Sequence, residues 1–194
     1  INNIHLASSI ENASKAISII GPYGTGKSTG LLFALKYFSG KLPLDQQKQL
    51  TQFHSNENKM GKINDNIIYP ESFYIPCILI GKKKTLDEIL FEELKKISND
   101  LKLDINFKKI RSIELVEKIV FSLSSQKQRL IIVIDELGKF LENAVENPTK
   151  GDIYVLQELA ELAARQNGNL IIITSRHQSF ESYASTLSIA EINE

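Results

Sequence analysis

Nine consecutive residues, Gly21-Pro22-Tyr23-Gly24-Thr25-Gly26-Lys27-Ser28-Thr29, carry the strongest chemical signal in the chain. Their first eight fit the pattern GxxxxGK[ST], with an apolar run before them and a helical pattern after them. Glycines at these spacings let the backbone wrap closely around phosphate oxygens. Successive N–H groups and a helix N-terminus then supply donors and positive potential. Lys27 is positioned to reach β- and γ-phosphates, the Ser28 hydroxyl to ligate Mg²⁺, and Thr29 to support the α-phosphate side.

A second constellation lies about a hundred residues downstream. Leu130-Ile131-Ile132-Val133-Ile134 ends in Asp135-Glu136. A carboxylate at the tip of a buried strand beside a phosphate loop can hold a metal-bound water, the role expected of Asp135, and the next residue, Glu136, can orient and polarise an attacking water. The competing reading of Glu136 is a surface acid in the first turn of the helix that opens at Leu137. A third cluster, Thr174-Ser175-Arg176-His177-Gln178, follows the apolar run Leu170–Ile173. Thr174 or Ser175 can hydrogen-bond the water or a phosphate oxygen, and Arg176 can stabilise charge in phosphoryl transfer, in its own subunit or a neighbour's. For Arg176 and His177, a solvated loop is the alternative. The three histidines, at 5, 54 and 177, are too scattered for a metal site.

These residues need rigid elements to hold them. Four short, β-branched apolar runs read as strands buried on both faces: Ala16–Ile20, Phe73–Ile80, Leu130–Ile134 and Leu170–Thr174. Helical patterns lie between them over Lys27–Phe38, Thr85–Ser98, Ile110–Ser124, Leu137–Val145 and Ile153–Gln166. The alternation predicts an α/β sheet. Pro76 cannot donate to a ladder, which predicts an edge position for the second strand. Leu156, Leu159, Ala160, Leu162 and Ala163 form the stripe expected to face the sheet. Residues 39–72 read as a short helix followed by a long polar insertion, and Thr149–Asp152 as a break between helices.

The chain has 194 residues, 42% of them hydrophobic, and equal numbers of basic and acidic side chains, 23 each, so it can bury a core and carries no net field toward nucleic acid or anionic membrane. Charge does not indicate nucleic-acid binding, nor does it exclude it. Lys82-Lys83-Lys84 and Lys108-Lys109 with Arg111 are the basic clusters, most simply solvated caps and loops, and no aromatic residues interleave them for base stacking. Arg165 is either a dipole-complementing charge at a helix end or a finger for a neighbouring subunit. Cys77 is the single cysteine, which excludes an internal disulfide and predicts a reducing, cytoplasmic setting. No apolar run nears the roughly 18 residues of a membrane span. The start at Ile1 without Met, and the end at Glu194 just past a helix-like stretch, predict that residues 1–194 form one domain of a larger polypeptide.

Taken together, Gly21–Thr29, Asp135-Glu136 and Thr174-Ser175 resemble the P-loop ATPases with an additional catalytic glutamate (the ASCE division), which include AAA+ and STAND ATPases. The resemblance implies a three-layer α/β fold with a mostly parallel sheet of order 5-1-4-3-2, in which the strand ending at Thr174 separates the phosphate-loop strand from the Glu-bearing one. It also implies ATP rather than GTP, Mg²⁺, hydrolysis to ADP and phosphate, and coupling to partner proteins, further domains or copies of the chain. No fifth strand follows residue 184 and no helical lid with a second sensor arginine is visible; either these parts of the AAA+ pattern lie outside this sequence, or the AAA+ analogy fails and only the wider division stands. More weakly, IDELGKFLE (134–142), GDIYVLQELAELAAR (151–165) and TSRHQSFESYA (174–184) look like the ATPase region of large bacterial proteins, some associated with defence against phage. Two other functions use the same loop. One is a nucleotide-gated, STAND-like switch with negligible turnover. The other is a small-molecule kinase, which would need an acceptor pocket and a basic lid.

Overall fold

The computed structural model describes residues 13–46, 48–49, 73–82, 84–146 and 154–178. In chain order the elements are β1 (Ala16–Ile20), α1 (Lys27–Phe38), β2 (Tyr74–Ile80), α2 (Leu86–Asp100), α3 (Ser112–Ser124), β3 (Arg129–Asp135), α4 (Leu137–Glu146), α5 (Tyr154–Arg165) and β4 (Leu170–Arg176). Residues 44–46 and 48–49 are also helical, as expected of the segment after α1. The rest of the polar insertion, the break at 149–152 and everything after residue 178 lie outside the described residues.

All strand pairs are parallel, in the order β1-β4-β3-β2. This matches the 1-4-3-2 part of the expected order; a fifth strand would fall outside the described residues. β2 takes the outer position in the described sheet, where Pro76 removes no ladder hydrogen bond from an inner strand. Leu130–Ile134 and Ile171–Ile173 are nearly inaccessible, because both faces of β3 and β4 are covered. That double coverage explains why these strands read as unbroken apolar runs rather than alternating ones.

Side chains alternate across the sheet, so β2, β3 and β4 feed two cores. β1 departs from the expected burial on both faces: Ile17 and Ile19 pack on one core, whereas Ala16, Ser18 and Ile20 are exposed, and Ile78 and Ile80 of β2 are exposed as well. On one side, Leu31, Ala34, Leu35 and Phe38 of α1 pack on Tyr74, Ile131, Val133, Ile171 and Ile173. On the other, α2, α3, α4 and α5 cover Cys77, Leu79, Leu130, Ile132, Ile134, Leu170 and Ile172. The result is three layers. The α5 stripe is refined: Val155, Leu159, Leu162 and Ala163 are buried, whereas Leu156 and Ala160 are only half-buried. α2 begins with a reciprocal capping box, in which Thr85 Oγ1 accepts from Glu88 N and Glu88 Oε2 accepts from Thr85 N.

Two strand ends run further than their apolar composition predicts, and both matter for the site. β3 continues through Asp135, and β4 continues through Ser175 and Arg176. Backbone pairing causes this: Thr174, Ser175 and Arg176 stand opposite Ser18, Ile19 and Ile20 of β1, and Ile80 stands opposite Asp135. Polar side chains at these positions do not interrupt a ladder made by the main chain. Of the basic clusters, Lys84 is bonded to Glu92 and Arg111 grips both oxygens of Glu158; Lys83 lies outside the described residues.

Candidate nucleotide site at the strand tips

Between β1 and α1 the chain turns through Gly24 and Gly26, with φ of 77° and 78°, in the left-handed region where a side chain would be strained. Gly26 is the residue before the first turn of α1, so the loop delivers its amides to the N-terminus of that helix. Two further bonds shape the loop: Gly21 N donates to Arg176 O of β4 at 3.2 Å, and Thr25 Oγ1 donates to Pro22 O at 2.8 Å. Tyr23, Gly24, Thr25, Gly26, Lys27, Ser28 and Thr29 then line a cleft of about 210 Å³, closed on its other wall by Asp135, Glu136 and His177. Gly21 and Pro22 stand behind it and contribute carbonyls: Lys27 Nζ donates to Gly21 O at 2.6 Å and to Pro22 O at 2.7 Å.

Ser28 and Asp135, 107 positions apart, meet directly, with Ser28 Oγ donating to Asp135 Oδ2 at 2.8 Å. The other carboxylate oxygen, Oδ1, accepts from Ser175 Oγ and from Glu136 N, the latter at 3.2 Å. Asp135 is thus held on both oxygens. A hydroxyl and a carboxylate are hard oxygen donors that suit Mg²⁺, an ion that takes one or two carboxylates and completes its shell with waters and phosphate oxygens. No cluster of three or more His, Cys, Asp or Glu side chains that could form an all-protein cage occurs among the described residues.

Glu136 sits in the left-handed region at φ 57°, unusual for a non-glycine residue and worth of order 1–3 kcal/mol of strain. Three contacts hold it there. Its N–H bonds Ser175 Oγ and Asp135 Oδ1, both at 3.2 Å, and its Oε2 accepts from Lys139 Nζ at 2.7 Å. The hydrogen bond to Glu136 raises the Lys139 pKa and keeps that side chain charged. Behind this turn Gly81 N donates to Asp135 O at 3.0 Å, and a Cβ on Gly81 would stand 2.6 Å from Glu136 O. The close approach admits only glycine there.

The strand-end cluster divides by alternation. Ser175 lies on the face of the sheet that α1 covers and is buried, with its hydroxyl bonded to Asp135 Oδ1. Thr174 and Arg176 project from the opposite face and do not line the cleft; Thr174 Oγ1 donates to Ser18 Oγ at 3.1 Å. His177, one residue beyond β4, returns to the cleft: its ring stacks on Tyr23 with centroids 3.4 Å apart, and its Nδ1 lies 3.3 Å from Lys27 Nζ. Sequence reasoning left His177 open between a functional strand-end cluster and a solvated loop, and did not single out Gly81 or Lys139. Lys139 is legible from its i,i+3 spacing to Glu136, and Gly81 from its place just past an apolar run; no local pattern assigns His177 its partners.

No family model matches the chain, and no curated protein does. Among solved structures, the fold is similar to that of the ORC2 protein of Aeropyrum pernix, determined as ADPNP-ADP complexes, at a TM-score of 0.52 and 14% identity over 91% of this chain and 38% of that one. Cdc6p from Pyrobaculum aerophilum aligns over 91% of this chain and 37% of its own at 12% identity, but its TM-score of 0.42 carries no argument. The chain thus spans well under half the length of either protein, and the weaker resemblance to large phage-defence ATPases gains no support from these matches. The mixed α/β fold, with a parallel four-stranded sheet and helices on both faces, is shared with the ORC2 protein.

Proposed function

We propose that this chain binds ATP with Mg²⁺ and hydrolyses it to ADP and phosphate. The observation that carries the reading is the Ser28–Asp135 hydrogen bond at the mouth of the phosphate loop. It joins two metal-ligand candidates from distant parts of the sequence beside Lys27. In this reading the loop amides and Lys27 hold the β- and γ-phosphates, Ser28 and Asp135 hold the metal, and Ser175 fixes the carboxylate. Glu136 orients the attacking water and accepts its proton. A Mg²⁺ ion held by Ser28 and Asp135 would supply charge neutralisation for the phosphates. Thr174 and Arg176 take no part at the phosphates, because they leave β4 on the far face. Coupling would run to protein partners, further domains or further copies of the chain. A cytoplasmic setting accords with the lone buried thiol, and no helix among the described residues is long and apolar enough to cross a membrane.

A second reading, a nucleotide-gated switch with negligible turnover, is favoured by the Glu136–Lys139 ion pair, which engages the carboxylate that a hydrolase must free. One experiment separates the two: ATP and GTP turnover with Mg²⁺ by wild type, Lys27→Ala and Glu136→Gln, with nucleotide binding measured in parallel. For an ATPase, Lys27→Ala abolishes binding, and Glu136→Gln binds ATP yet turns it over about 10²–10⁴-fold more slowly. A Glu136→Gln protein as fast as wild type would remove Glu136 from the mechanism. Tight binding with no turnover in wild type selects the switch.

A further inference from the structure

The Lys27 ammonium has three N–H donors and no acceptor. Two point at Gly21 O and Pro22 O, at 2.6 and 2.7 Å, and the third has His177 Nδ1 at 3.3 Å, the longest of the three contacts. The ammonium can only donate, so this contact requires Nδ1 as the acceptor and puts the ring proton on Nε2. That Nε2 is buried and has no hydrogen-bond partner among the described residues. Stacking on Tyr23 holds the ring. A phenyl ring would stack as well without burying an unsatisfied N–H, so packing alone does not account for an imidazole here. What the imidazole adds is an acceptor for Lys27.

We infer that His177 competes with phosphate for Lys27, its Nδ1 occupying the Lys27 donor that a β- or γ-phosphate oxygen takes. This rests on reading the cleft as a nucleoside-triphosphate site. The two carbonyls belong to the same loop as the phosphate-directed amides, so they keep the ammonium over the loop, and only the third and longest contact is open to exchange. Phosphate therefore displaces the imidazole, and His177 competes with nucleotide for Lys27 instead of contacting it.

The test has two arms on the full chain. In the first, ¹⁵N NMR of the imidazole nitrogens without nucleotide reads the contact itself: wild type shows His177 as the Nε2–H tautomer, and Lys27→Ala moves its Nδ1 resonance. An unmoved resonance overturns the proposal whatever the protein binds. In the second, calorimetry with ATP, ADP and inorganic tripolyphosphate compares wild type, His177→Phe, which keeps the stack and lacks the acceptor, and His177→Ala. Both variants should bind each probe about three- to tenfold more tightly, the worth of one long hydrogen bond. Unchanged or weaker binding by both variants overturns the competition. If wild type binds none of the three probes, the nucleotide reading fails and the competition with it, while the NMR arm still decides the Lys27–His177 contact.

Discussion

Gly81→Ala tests the link between β2 and the Asp135-Glu136 turn. The new Cβ would stand 2.6 Å from Glu136 O and 2.9 Å from Lys139 Cβ, where 3.4 Å is ordinary contact, so the turn must retreat by 0.8 Å. The obstacle is backbone, not the end of a flexible side chain, and the Gly81 N–H to Asp135 O bond at 3.0 Å ties the two segments together. Overpacking of this kind costs ~1–3 kcal/mol, partly offset by ~0.4–1 kcal/mol from the stiffer unfolded chain, which leaves a net loss of about 1–2 kcal/mol. For a chain of this size that lowers Tm by about 2–8 °C. The same retreat drags Glu136 from its left-handed conformation and should depress turnover more than nucleotide binding. Thermal unfolding followed by circular dichroism measures the first effect, and steady-state hydrolysis beside calorimetric binding measures the second. Gly30→Ala is the control, because a Cβ there meets nothing within 4 Å and the residue is helical; it should gain about 0.5–1 kcal/mol. A Gly81→Ala protein with wild-type Tm and wild-type turnover would refute the claim that close backbone contact holds the Asp135-Glu136 turn.

Three other perturbations have signed outcomes. Ser175→Ala removes the hydroxyl shared by Asp135 Oδ1 and Glu136 N, and should cost about 1–3 kcal/mol in denaturant unfolding and raise the Mg²⁺ concentration needed for half-maximal turnover; an unchanged metal requirement would argue against Ser175 as the orienter of Asp135. Burial pushes the Cys77 thiol up, so native protein should resist thiol reagents at pH 8 and react only on unfolding, and since the thiol then ionises only in the unfolded chain, stability should fall as pH rises past its ordinary value of 9.0. Thr85→Ala breaks the capping box of α2 and should destabilise by about 0.5–2 kcal/mol without altering nucleotide binding, since this cap is not part of the cleft.

The layered sheet was legible in the amino-acid sequence because strands covered on both faces must be apolar at every position; Leu130–Ile134 and Leu170–Ile173 announce that burial without reference to anything distant. The turn of the Gly-rich loop was equally legible, since left-handed turns need Gly24 and Gly26 at those positions and the helix after them starts at Lys27. Even the outer placement of β2 followed from Pro76. In each case the determining physics is local: a backbone conformation, a missing N–H, a run of branched side chains.

Strand pairing and the facing of side chains were decided only in three dimensions. Main-chain pairing to β1 carries β4 through Thr174, Ser175 and Arg176, and strand alternation then sends Ser175 to Asp135 while turning Thr174 and Arg176 to the far face. No spacing along the chain encodes which of three adjacent polar residues points at the phosphate loop, because that depends on register against a strand 156 positions away. The same holds for His177, whose partners Tyr23 and Lys27 arrive from the opposite end of the sequence. The chemistry of the loop and of the Asp135-Glu136 pair was written in residue type and local order. The set of groups that surrounds them exists only where β1, β3 and β4 end side by side.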